Sequence, residues 1–210
     1  MRRARRLPLE HLAPFLLEVP PEPAALNWER VFVNPGPLEI EVGFGKGLFL
    51  VRAAQAFPGV NYLGIEISRK YQLFTATRLA KRGLGNVRLA KADARAFLRD
   101  HVAAGSCQAI HVYFPDPWWK KRHVKRRVFT AEFVGQCARV LQSGGWLHVA
   151  TDVADYFQLI MQLITAQSNL RPLLLPQTHE PTHDLDYLTN FERKFRQAGK
   201  PIYRGSYAKQ

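Results

Sequence analysis

The residues best equipped for chemistry lie in one stretch, Phe114-Pro115-Asp116-Pro117-Trp118-Trp119 and the basic run behind it. Proline locks φ and disfavours helix in the residue before it, so Asp116 is held in a fixed, extended turn. That turn follows an apolar alternating run, Ala109-Ile110-His111-Val112-Tyr113, which predicts a buried strand. Lys120, Lys121, Arg122, Lys125, Arg126 and Arg127 come next. A carboxylate, two indoles and a cationic track at one strand end suit a negatively charged, ring-bearing substrate. The cations would hold phosphates without reading sequence. Either indole can stack on a base, or Trp118 packs inward and holds the turn.

A second set of chemically equipped residues lies upstream. Gly43, Gly45 and Gly47 fall where a strand gives way to a helix. Glycines let the backbone pass close to a ligand. The spacing is GxGxG rather than the GxGxxG of dinucleotide binders, which favours a nucleoside without phosphate, such as S-adenosylmethionine. Glu66 ends the next strand and can accept both ribose hydroxyls, or can serve as a carboxylate at a helix start. Asp93 ends a third strand, where it can accept an adenine amino group or favour a helix N-terminus. Glu41 sits inside an apolar strand, so it meets either a ligand ammonium or a buried Lys or Arg.

These residues need elements to position them. Strands are predicted at Leu38–Val42, Asn61–Ile67, Val87–Lys91, Gln108–Tyr113 and Trp146–Thr151. Helices are predicted from Leu48 to Ala56, from Ser68 to about Arg82, from Ala94 to about Asp100, from Thr130 to Leu141 and from Asp152 to Ala166. Strand and helix alternate five times, which demands an α/β, doubly wound, mostly parallel sheet with helices on both faces. Ligands bind at the carboxyl ends of such strands. Gly43 to Gly47, Glu66, Asp93, Asp116 and Asp152 then line one rim. In the tail, Leu170–Leu175 and Ile202–Tyr207 predict an antiparallel pair at the sheet edge. Residues 1–37 carry many prolines and little periodicity, and are expected to be an irregular arm before a domain spanning 38–210.

The net charge of +13 over 210 residues predicts attraction to polyanions, nucleic acid above all. Cys107 and Cys137 stand far apart, which argues against a disulfide framework or a zinc site and for reduced thiols in the cytoplasm. His179 and His183 are four apart and could share a helical face, but no third ligand accompanies them, so no metal is expected. No apolar run is long enough to span a membrane.

Glu41-Val42-Gly43-Phe44-Gly45-Lys46-Gly47, Gly64-Ile65-Glu66-Ile67, Ala92-Asp93-Ala94, Phe114-Pro115-Asp116-Pro117-Trp118, Lys120-Lys121-Arg122-His123 and Thr151-Asp152 together resemble the bacterial tRNA (guanine-N7-)-methyltransferases. The similarity runs over about residues 36–210. Leu188-Thr189-Asn190-Phe191-Glu192 is similar to that family's Thr-x-Phe/Tyr-Glu motif. Trp119, and the segment Thr182 to Tyr187, depart from the family's usual text. The resemblance implies a Rossmann-like class I methyltransferase sheet. It implies S-adenosylmethionine contacts at Glu41, Glu66, Asp93 and Asp116. It implies tRNA or guanine contacts at Lys120, Asp152, Thr189, Asn190, Phe191 and Glu192. The target would be a variable-loop guanine, and the enzyme a monomer or homodimer without an obligatory protein partner.

Guanine N7 already carries an in-plane lone pair, so no base is required. In-line positioning can supply up to ~7–11 kcal/mol. The purine becomes cationic, which favours a carboxylate beside it. Asp116 is the expected catalytic residue, with Asp152 second.

Overall fold

The computed structural model describes residues 7–167, 169–173, 192 and 197–210. The chain opens with Leu9–Leu12 (α1), a 3-10 turn at Ala13–Phe15, Leu16–Leu17 (β1) and Trp28–Val31 (α2). The alternation then follows as Leu38–Val42 (β2), Leu48–Ala56 (α3), Asn61–Glu66 (β3), Arg69–Ala80 (α4), Val87–Lys91 (β4) and Ala94–His101 (α5). It continues through Cys107–Tyr113 (β5), Ala131–Val140 (α6), Leu141–Thr151 (β6) and Ala154–Thr165 (α7). Leu170–Pro172 (β7) and Tyr203–Lys209 (β8) close the sheet, in the order β1-β4-β3-β2-β5-β6-β8-β7. Only β8 runs antiparallel to its neighbours β6 and β7. The predicted α/β sheet with an antiparallel C-terminal edge is therefore the one observed.

Strand side chains alternate between faces. Ile40, Val42, Ile110, Val112, Leu147 and Val149 pack on one face with Phe97 of α5, Phe133 of α6 and Ile160 of α7. Tyr62, Leu89, Phe49 and Leu50 pack on the other, with Leu73 and Leu79 of α4. The two cysteines are buried in the first of these layers with free thiols.

The lead-in is more ordered than its proline content suggests. Leu12 and Phe32 are buried, and Phe15 nearly so. Leu16 and Leu17 pair in parallel with Leu89 and Ala90, lengthening the sheet by a strand. The apolar residues of this segment are too few to show a period, so their burial was hidden until the sheet supplied a partner. Two boundaries also differ. β6 begins at Leu141 because its register against β5 shifts between Cys107 and Ala109, absorbing Ser143-Gly144-Gly145 as an irregularity rather than a free turn. α7 takes Val153, not Asp152, at its N-cap.

Candidate active site

β2 and β5 lie side by side, yet the chain between them runs outward through β3 and β4. Connections leave in opposite directions from this pair, and a crevice opens at their carboxyl ends. The glycine loop leaves β2 there, and the Pro-Asp-Pro turn leaves β5.

Gly43, Gly45 and Gly47 all have positive φ, at 74°, 49° and 63°. A Cβ on Gly43 or Gly45 would meet nothing within 4 Å, so open space lies beside that backbone. A Cβ on Gly47 would fall 2.2 Å from Thr75 Cγ2. The third glycine therefore serves packing, and the first two leave room for a ligand. α4 holds the loop from behind. Thr75 Oγ1 donates to the Gly45 carbonyl at 3.3 Å, and Arg78 Nη1 donates to the Lys46 carbonyl at 2.6 Å. Burial pulls the Arg78 pKa below its usual range, with Arg82 adding repulsion.

Glu66 joins the loop to the end of β3. Its Oε2 accepts the Gly45 N–H at 3.1 Å and its Oε1 accepts the Ser68 N–H at 2.9 Å. Ser68 occupies the N-cap of α4 but its side chain makes no capping bond. Glu41 is 3% exposed and its Oε2 has no hydrogen-bond partner. Burial, then the nearby Glu66 charge, push its pKa up to about 8, against a stabilising bond from the Leu50 N–H. No cation contributes to that balance, and no Lys or Arg pairs with Glu41 among the described residues. Asp93 caps α5, accepting the Arg95 N–H at 2.9 Å and pairing with the Arg95 guanidinium at 2.6 Å. Arg95 holds the Asp93 pKa below the usual carboxylate range.

The turn after β5 is strained at both ends. Phe114 and Trp118 adopt φ of 53° and 42°, a region that non-glycine residues visit at a cost of about 1–3 kcal/mol. The Phe114 N–H donates to the Ala150 carbonyl of β6 at 2.7 Å, which moors the entrance. Arg127 moors the exit, its Nε donating to the Pro117 carbonyl at 2.7 Å. Its guanidinium lies 5.3 Å over the Trp119 ring and 5.7 Å over Tyr156. Arg127 thus builds the turn, whereas the sequence placed it in the phosphate track. Arg126 lies 5.2 Å over the Trp118 ring, and His123 meets that ring edge-on. Trp118 is half-buried between them, while Trp119 stays 53% exposed. Lys120, Arg122 and Arg126 are exposed along the 3-10 turn Lys121–Arg126 or at its start.

Asp116 is exposed at the apex and accepts no hydrogen bond among the described residues. Asp152, half-buried past the end of β6, likewise has no partner among them. Tyr113 pairs with Ala150 across the sheet, so the two carboxylates leave neighbouring strand ends. Glu192 arrives beside them, buried and ion-paired with Arg204 of β8, which stands opposite Ala150. Thr189, Asn190 and Phe191 lie outside the described residues.

One network was not foreseen. His111 Nε2 bonds Glu39 Oε2 at 2.9 Å, and His111 Nδ1 bonds the Tyr113 hydroxyl at 2.9 Å. His148 stacks on His111 and bonds Ser206 at 2.6 Å. The signal was available in the alternation: Glu39, His111 and Tyr113 share the face of their strands that carries Glu41.

With the site in view, comparison with known proteins is informative. The family described as "Putative methyltransferase" matches residues 35–205. A curated tRNA (guanine-N(7)-)-methyltransferase of Rhodopirellula baltica is 46% identical over 194 residues, 90% of this chain and 72% of that protein. One of Alkalilimnicola ehrlichii is 38% identical, covering 96% of this chain and 85% of that protein. The chain belongs to the tRNA (guanine-N(7)-)-methyltransferase family. Solved structures share the fold at lower identity. The aminoglycoside resistance methyltransferase NpmB1 superposes with a TM-score of 0.61 at 18% identity, covering 87% of this chain and 91% of that one. The 16S rRNA methyltransferase KamB gives 0.59 at 15%, covering 87% and 93%. Among the described residues, no helix is long and apolar enough to cross a membrane.

Proposed function

We propose that this chain transfers the methyl group of S-adenosylmethionine to N7 of a guanine in tRNA, in the variable loop. The observation that carries this reading is Asp116. It is an exposed carboxylate with no partner among the described residues, held rigidly at the crevice of a protein bearing +13 net charge. A surface carboxylate in such a protein has many cations to pair with. A turn anchored by Arg127 that leaves its own Asp free keeps that charge for something else.

The crevice suits the cofactor. The buried, unpartnered Glu41 Oε2 matches an ammonium, and the open side of Gly43 and Gly45 admits a ligand against bare backbone. Glu66 would accept ribose hydroxyls with the lone pairs left over from Gly45 and Ser68. Asp93 would do the same for the adenine amino group while keeping Arg95. When bound, S-adenosylmethionine supplies an electrophilic methyl group. The protein's task is alignment of N7, which needs no general base, and stabilisation of the positive charge that grows on the purine. Asp116 supplies that negative charge from the cofactor side, and Asp152 from the β6 side. Carboxylates also accept the Watson–Crick N–H groups of guanine, a pattern adenine lacks. Lys120, Arg122 and Arg126 would hold phosphates. Glu192 with Thr189, Asn190 and Phe191 would form the far wall.

N7 lies on the deep, narrow major-groove edge of A-form RNA, so the target base has to come from a loop or be swung out. Trp119, half-exposed beside Asp116, offers the surface to receive it. The decisive experiment incubates the protein with undermodified tRNA and methyl-labelled cofactor, then maps the label. Label at guanine N7 is expected; no label, or label elsewhere, refutes the reading. In the same assay Asp116→Ala should lower kcat at least ~100-fold with an unchanged circular dichroism spectrum. Near-normal turnover would remove Asp116 from the mechanism.

A further inference from the structure

We propose that the outer face of α4 is a second docking surface for the body of the tRNA, separate from the Lys120–Arg127 run. Ile67, Tyr71 and Phe74 are 71%, 38% and 36% exposed. Tyr71 and Phe74, three apart, lie on one side of the helix, with Ile67 just before its N-cap and exposed Lys70 beside them. A solvated helix face ordinarily mixes charges of both signs. Here the chain from Ile67 to Ala92 holds seven Lys and Arg and no Asp or Glu. Exposed aromatic rings in a segment that carries cations and no acid fit a polyanion with exposed rings: cations meet phosphates and rings meet bases.

Position supports the same occupant. α4 starts three residues after Glu66, at the crevice, and its twelve residues extend away from the rim for about 18 Å. Thr75, on its buried side, and Arg78, one turn beyond Phe74 on the exposed stripe, grip the glycine loop. RNA lying along the outer side would therefore be registered against the same helix that fixes the cofactor loop. A second copy of the chain fits poorly, because a two-fold contact through this face would oppose two strongly cationic segments.

The inference rests on tRNA being the substrate, and the test separates the two. Binding of tRNA is measured by fluorescence anisotropy over a sodium chloride series, for wild type, Lys70→Gln and Phe74→Ser. Melting temperature, cofactor binding by calorimetry and sedimentation are measured alongside. Lys70→Gln should flatten the slope of log affinity against log salt by about 0.7–0.9, and Phe74→Ser should weaken binding several-fold at constant slope. KM for tRNA should rise with kcat and cofactor affinity unchanged. Wild-type tRNA affinity and slope in folded variants would overturn the proposal. So would a wild-type dimer that Phe74→Ser dissociates while tRNA affinity holds. Wild type that methylates no tRNA would instead fail the functional reading itself.

Discussion

Glu41 keeps its proton at neutral pH until a cation arrives. An acid whose pKa is raised by folding stabilises the native state below its ordinary pKa and loses that contribution as pH rises through the folded value. For Glu41 the window runs from 4.5 up to about 8. The melting temperature of the free protein should therefore fall across that range, and Glu41→Gln should flatten the fall. A ligand ammonium favours the charged form, so cofactor affinity measured calorimetrically should rise from pH 6.5 towards 8 and release a proton. His148 acts in the opposite direction. Burial, then His111, lower its pKa from 6.5 to about 4, so the unfolded chain binds the proton first and stability drains away as pH falls between those values. His148→Gln should blunt that acid sensitivity in the same melting series.

At the scale of elements, α4 and the glycine loop behave as one unit. Arg78→Met removes a hydrogen bond from a charged donor, worth about 1.5–3 kcal/mol. The KM for cofactor should rise about tenfold while kcat at saturating cofactor holds, and Arg78→Lys should recover part of the loss. Gly47→Ala forces both a left-handed φ and a clash with Thr75, and should lower the melting temperature by about 5–10 °C. Much of this arrangement was legible in the text. Each of the five strands β2 to β6 runs out into a glycine or a carboxylate, and period-two alternation separates Glu39 and Glu41 from Leu38, Ile40 and Val42. What could not be read was which partner each charged side chain would choose. Asp93 has Arg95 two residues away and still had a plausible ligand role. Arg127 looks like every other cation in its run until the 3-10 turn aims it at Pro117. The ion pair of Glu192 with Arg204 depends on β8 returning beside β6, a tertiary choice with no local signature.

Across the whole molecule, charge and packing have separate consequences. With +13 net charge and the phosphate contacts proposed above, tRNA affinity should fall about a thousandfold between 50 and 200 mM salt. A shallow dependence would assign the cations to solvent. Packing is tested in the lead-in, where Leu12 is fully buried against α4 and its neighbours. Leu12→Ala should cost about 2–5 kcal/mol by denaturant titration, as a core truncation does and a loose arm would not.

Leu16 and Leu17 contribute only two residues to the sheet, but they cover the backbone of β4, which would otherwise be its outermost strand. The opposite border is β7, three residues long and ending in Pro172, which has no N–H to offer. Among the described residues, neither border presents a long row of free peptide groups to another chain. A variant lacking residues 1–17 would bare Leu89 and Ala90 and leave all of β4 an open edge, and should form concentration-dependent aggregates even where its active site is whole. The short N-terminal strand is thus a guard against misassembly.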